Sequence, residues 1–124
     1  VSEIMRPRSA VPICKPETLV TQALTQITAK RCGAALVVDA KGKLAGIYTH
    51  GDFVRGFQKD PEIGKRPLRT VMTKNPVTIP VDSLAAKALH IFETHRIEDL
   101  IVLDAARRPV GLVDSQDLAR FRVY

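Results

Sequence analysis

The sequence contains no tryptophan, two cysteines and three histidines, and only 5% of its 124 residues are aromatic. So few aromatics exclude a base-stacking platform for single-stranded nucleic acid. Cys14 and Cys32 form neither a CxxC pair nor a metal-ligand spacing and are read as reduced thiols of a cytoplasmic protein. His50, His90 and His95 show no HxH or HExxH relation, so no metal site is expected. No Cys/His or Ser/His dyad stands at a recognisable spacing, and the chain itself is expected not to be an enzyme. No apolar run approaches the ~18 residues of a membrane span. A signal-peptide pattern and low-complexity tracts are also missing.

A hydrophobic fraction of 45% supports a real core without disulfides or metals. The net charge is +6, and it is spread out. Residues 1–60 hold nine basic and five acidic side chains, and residues 61–124 hold ten and eight. No basic arm or stripe results, which argues against nucleic-acid binding. The mild excess reads either as a solvated surface or as a preference for a small anionic ligand.

An internal repeat organises the chain. Shifted by 65 positions, residues 17–56 lie over 82–121 without a gap, with ten of forty positions identical. The matches include Arg31/Arg96, Asp39/Asp104, Gly46/Gly111 and Asp52/Asp117. Met5 and Met72 correspond if two extra residues precede the first helix. Each repeat predicts an extended lead-in (10–14 and 76–79) and a helix (18–30 and 83–96). An apolar strand (35–39 and 100–104), a four-residue turn, a second strand (44–48 and 109–113) and a closing helix from His50 or Ser115 follow. The apolar positions Leu19, Ala23 and Ile27, and Leu84, Ala88 and Phe92, of the first helices are spaced near 3.6. Residues 1–57 are taken as repeat 1, 58–67 as a linker and 68–124 as repeat 2. One such unit cannot bury its sheet face alone. The expected fold is α+β: two β-α-β-β-α repeats packed face to face with pseudo-two-fold symmetry and a cleft at each end of the axis.

The order of elements, the VVD turn (37–39) and the G-h-x-T-x-x-D pattern of Gly46 to Asp52 resemble a tandem pair of CBS domains, a Bateman module. VSEIMR (1–6), ITAKRCGAALVVD (27–39), THGDFVR (49–55) and VMTKNPVTI (71–79) are further similar to the C-terminal CBS pair of bacterial arabinose 5-phosphate isomerases. In that family an upstream sugar-isomerase (SIS) domain performs the chemistry, on the route to the Kdo sugar of lipopolysaccharide. The resemblance implies that this chain is the regulatory piece of such an enzyme, with the SIS domain as partner.

Thr49 and Asp52 stand where a strand turns into a helix N-terminus, whose unpaired N–H groups and positive dipole suit a phosphate. The Thr hydroxyl can donate to a phosphate, and the Asp carboxylate can accept from ribose hydroxyls. The resemblance assigns these positions to adenine-nucleotide contact. T-x-x-D is equally a helix-capping arrangement, worth about 1 kcal/mol on its own. In repeat 2 the Thr is replaced by Asp114, a good N-cap whose charge repels a phosphate, so the cleft of Asp117 is expected to be the weaker one. The resemblance also places the base of the Asp52 ligand against Met72, Asn75, Val77, Ile97, Glu98 and Asp99, with Lys30 and Arg31 toward the phosphates. For the weaker cleft it implies Pro12, Cys32, Gly33 and Ala34, with His95 and Arg96. Both arginines read equally as solvated helix-end cations.

These readings give a ligand-sensing module without a catalytic cofactor, for ATP, ADP or AMP, or for a pathway sugar nucleotide such as CMP-Kdo. The alternative is a structural module that assembles a homodimer through the apolar residues Phe53, Phe57 and Phe121 of its closing helices.

Overall fold

The structure, a computed structural model, describes residues 1–119, with side chains as far as Asp117; Phe121 lies outside the described residues. The described chain forms two compact units that do not follow chain order. Unit 1 joins Val1–Arg8 to Val77 and the residues after it, and unit 2 is Ser9–Pro76.

Unit 2 contains β2 (Ile13–Cys14), α1 (Val20–Lys30), β3 (Ala34–Val38), β4 (Leu44–Thr49), α2 (His50–Lys59), the single turn α3 (Leu68–Val71) and β5 (Thr73–Lys74). Its sheet has the order β2-β3-β4-β5, with β2 parallel to β3 and the remaining pairs antiparallel. Unit 1 has the same design. Here β1 is Arg6–Pro7, β6 Thr78–Pro80, α4 Ala85–His95, β7 Asp99–Leu103, β8 Pro109–Asp114 and α5 Ser115–Ala119. Its sheet order is β1-β8-β7-β6, again with one parallel pair, β6 with β7. The predicted α+β class and the β-α-β-β-α order of each repeat are therefore present.

The landmark residues of the repeat have visible causes. Asp39 accepts the backbone N–H groups of Lys41 and Lys43 at 2.8 and 3.0 Å, and Asp104 those of Ala106 and Arg108 at 2.9 Å. Each carboxylate thus builds the hairpin turn that follows it. Gly46 and Gly111 stand where an edge strand approaches too closely for any side chain. A Cβ at Gly46 would lie 2.7 Å from Met72 Sδ and 2.8 Å from the Thr73 carbonyl oxygen; at Gly111 it would lie 2.5 Å from Met5 Sδ and 2.6 Å from that of Arg6. Met5 and Met72 are thus equivalent, and so are Arg6 and Thr73.

The cores lie on the helix-facing sides of the sheets. Val20, Ala23 and Ile27 of α1 pack with Ala35, Val37, Tyr48, Ile63 and Leu68 in unit 2. Ala88 and Phe92 of α4 pack with Ile79, Leu100, Val102 and Val113 in unit 1. The first helices begin later than expected, at Val20 and Ala85 rather than at 18 and 83. Leu19 and Leu84 are not core positions: each is the N-cap of its helix, turned outward, and Leu84 is 77% exposed. Residues 58–67 carry the end of α2 and a 3-10 turn at Ile63–Lys65, and Ile63 is buried in the unit 2 core.

Candidate ligand-binding site

The β4–α2 corner of unit 2 is built by reciprocal capping. The Asp52 N–H donates to Thr49 Oγ1 at 3.0 Å, and the Thr49 N–H donates to Asp52 Oδ2 at 3.0 Å. The His50 N–H donates to the Gly33 carbonyl at 2.9 Å. Among the described residues this leaves the Gly51 N–H as the open donor of the first turn. Thr49 Oγ1 acts here as acceptor, so its own hydrogen remains free to donate. Asp52 Oδ1 accepts from Arg55 Nη2 at 2.8 Å, in an i,i+3 pair whose arginine is 71% exposed. Such a pair contributes only about 0.3–0.5 kcal/mol and yields easily to a competing donor. Capping and ligand contact are therefore compatible at this corner.

Lys30 and Arg31 belong to the same end of the sheet, since Ala34 pairs with Thr49 and the Gly33 carbonyl holds the start of α2. Arg31 adopts the left-handed conformation, φ 51° and ψ 40°, at the end of α1. Its N–H reaches the Thr28 carbonyl, and the N–H of Cys32 reaches that of Ile27, both at 3.2 Å. This is the Schellman ending, where glycine is the usual residue. Arg96 has nearly the same angles, φ 50° and ψ 41°, but ends its helix by the simpler αL motif, with a single bond from its N–H to the Phe92 carbonyl at 3.1 Å. Both arginine side chains are exposed. Lys30 Nζ donates to the Ser9 carbonyl at 2.9 Å.

The remaining predicted residues divide between the units. Met72 and the exposed, left-handed Asn75 belong to unit 2, as do Pro12, Cys32, Gly33 and Ala34. Val77, His95, Arg96, Ile97, Glu98 and Asp99 belong to unit 1 with Asp114 and Asp117. Gly33 and Ala34 thus lie beside Thr49. Likewise Asp99 pairs in register with Asp114, and the Glu98 carbonyl takes the Ser115 N–H at 2.9 Å.

The β8–α5 corner of unit 1 differs in its charges. Asp114 Oδ1 accepts the Asp117 N–H at 2.6 Å. Arg6 Nε donates to Asp117 Oδ2 at 3.2 Å, and Arg6 Nη2 to Asp114 Oδ2 at 3.3 Å. Asp117 is the one buried charged residue among the described residues. Removing the partner of such a charge costs on the order of 3 kcal/mol. Sequence reasoning missed Arg6. The signal was there in the equivalence of Met5 and Met72, which sets Arg6 against the neutral Thr73.

Both cysteines are buried and unbridged, and burial pushes the Cys14 thiol up, away from the thiolate a nucleophile needs. No cluster of three metal-ligating side chains occurs among the described residues, and no described helix is long and apolar enough to cross a membrane.

The CBS domain family matches this chain twice, over residues 1–59 and 68–124. The chain belongs to that family, as a tandem pair. Among curated proteins it is similar to arabinose 5-phosphate isomerase KdsD of Pseudomonas aeruginosa, 38% identical over 97% of this chain and 37% of that protein. KdsD of Francisella tularensis is 34% identical over 99% of this chain and again 37% of its own length. The chain thus spans little more than a third of these relatives. Among solved structures, CBSX2 in complex with AMP superposes with a TM-score of 0.81 at 23% identity, covering 96% of this chain and 92% of that one. A conserved protein from Pyrococcus horikoshii reaches 0.85 at 23% identity, covering 99% and 92%. At these identities the likeness establishes the fold.

Proposed function

We propose that this CBS pair is the ligand-sensing region of an arabinose 5-phosphate isomerase-like enzyme. In this reading it binds an adenine nucleotide at the Thr49–Asp52 corner and biases an attached SIS catalytic domain. The observation that carries the reading is the first turn of α2. It offers the open Gly51 N–H, the free Thr49 hydroxyl hydrogen and a carboxylate whose Oδ1 is held by an exposed arginine while Oδ2 caps the Thr49 N–H. The N–H and hydroxyl suit a phosphate, and Asp52 suits the ribose hydroxyls. Lys30 and Arg31 supply cations at the same end of the sheet. AMP in CBSX2 supports the adenine class; CMP-Kdo rests on the resemblance alone. Ligand would act by its different affinity for two arrangements of the module.

Calorimetry of the chain with ATP, ADP, AMP and CMP-Kdo tests this, beside a Thr49→Ala/Asp52→Ala variant. Heat with an adenine nucleotide, lost in the variant, is expected. No heat with any of the four at millimolar concentration overturns it. An isomerase assay on the chain alone should read blank.

A second reading, assembly of a homodimer, is favoured by α2. Val54 and Phe57 are exposed there, and the Phe57 ring stacks at a tilt on Phe53 with centroids 5.7 Å apart. Sedimentation at high concentration separates the readings: a monomer removes this one. The absence of a membrane-spanning helix among the described residues is compatible with a cytoplasmic location.

A further inference from the structure

The two β–α corners share a backbone plan but not an electrostatic one. In unit 2 the equivalent of Arg6 is Thr73, and Asp52 is held by Arg55 of its own helix, 71% exposed. In unit 1 the guanidinium comes from β1, the edge strand paired antiparallel with β8, where Arg6 lies opposite Leu112. Its side chain is only 32% exposed and meets an Asp117 that is 10% exposed, while it also reaches Asp114. A ligand hydroxyl that sought the Asp117 carboxylate would have to displace a half-buried cation bonded to two carboxylates. At Asp52 it would displace only a solvated surface arginine.

We propose that Arg6 is a built-in occupant of the Asp114–Asp117 carboxylates and closes that corner to nucleotides, so that only one repeat of the pair is a ligand-binding end. This rests on the reading of Thr49–Asp52 given above, and it assigns to Arg6 the role of specificity determinant. Asp114 and Asp117 alone would present two negative charges to an incoming phosphate. Arg6 offsets one of these charges and also fills the space of the hydroxyl donors that Asp117 would otherwise accept. The same ion pairs tie Arg6 to residues 108 and 111 positions further along the chain, and so fasten β1 to the end of β8.

The test uses the 124-residue chain and AMP. An Arg6→Thr/Asp114→Thr variant gives unit 1 the residue types that unit 2 has at Thr73 and Thr49. Its AMP stoichiometry by calorimetry is expected to exceed that of the wild type by one, with new amide shifts at Ser115–Asp117. A folded variant with an unchanged count overturns the role of Arg6. If the wild type binds no AMP and the variant gains a site, the reading of Thr49–Asp52 fails while the role of Arg6 stands. A count of one in both proteins leaves that reading intact and removes the role of Arg6. Binding by neither removes both. Should the variant not fold, the wild type still decides. The Arg6 Nε–H signal is expected to be protected from water exchange at least tenfold over a free arginine, and to stay unmoved as AMP saturates Thr49–Asp52. An unprotected Nε–H, or one that moves with AMP, overturns the proposal.

Discussion

Replacing Arg96 by glycine should stabilise the protein, and the size of the gain follows from the backbone. Arg31 and Arg96 sit at the ends of equivalent helices with nearly the same angles, φ 51° and ψ 40° against φ 50° and ψ 41°. A left-handed conformation costs a residue with a Cβ about 1–2 kcal/mol, and glycine pays none of it. Glycine in turn loses about 0.5–1 kcal/mol through the greater freedom of its unfolded state. The net expectation for Arg96→Gly is a gain of about 0.5–1 kcal/mol, or about 2–4 °C in Tm for a chain of this length. Urea titration should show a higher midpoint at unchanged m-value. On the proposed function, Arg31→Gly loses nucleotide affinity and Arg96→Gly leaves it unchanged. Destabilisation of Arg96→Gly by more than about 0.5 kcal/mol would refute the reasoning, since that side chain would then be holding the fold.

Tyr48 is 1% exposed, and its hydroxyl has no hydrogen-bond partner among the described residues. Tyr48→Phe should therefore be stabilising by about 1 kcal/mol at neutral pH; a loss of more than 1 kcal/mol in denaturant titration would mean that the hydroxyl is satisfied. Burial, with the Asp52 charge adding to it, pushes the Tyr48 hydroxyl up to about 12. The folded protein thus holds this proton more tightly than the unfolded chain. The stability linked to Tyr48 is complete below about pH 10 and is lost as pH rises toward 12, and the phenylalanine variant should flatten that limb. Gly46→Ala, whose Cβ would meet a carbonyl oxygen at 2.8 Å, should cost about 2 kcal/mol or more and speed amide exchange in Thr73–Lys74 first. Leu84→Ser, at an outward N-cap that lacks a side-chain capping bond, should stabilise by about 1 kcal/mol, against about 2–5 kcal/mol lost by Ile79→Ala in the core.

Much of the fold was legible because the repeat carries residues with strong local causes. Asp39 and Asp104 fold their own turns, Gly46 and Gly111 tolerate an edge strand, and the continuous apolar run of β3 is buried throughout. The Thr49–Asp52 cap was also readable, since its partners are three residues apart. What escaped was set by long-range pairing. Two-residue strands such as Arg6–Pro7 and Thr73–Lys74 carry no period, so nothing local indicated that Met5 would press on Gly111. For the same reason Arg6 could not be connected with Asp117, 111 positions away. Leu19 and Leu84 were misplaced because helical spacing continues past the first turn, while the chain at an N-cap already points outward.

The most direct measurement is an AMP titration of the isotope-labelled chain followed by amide chemical shifts. The account predicts saturable shifts at Thr49, His50, Gly51 and Asp52, with Arg31 and Gly33 following, and none at Asp114–Asp117. Shifts confined to Asp114–Asp117, or no shifts at millimolar AMP, would contradict it.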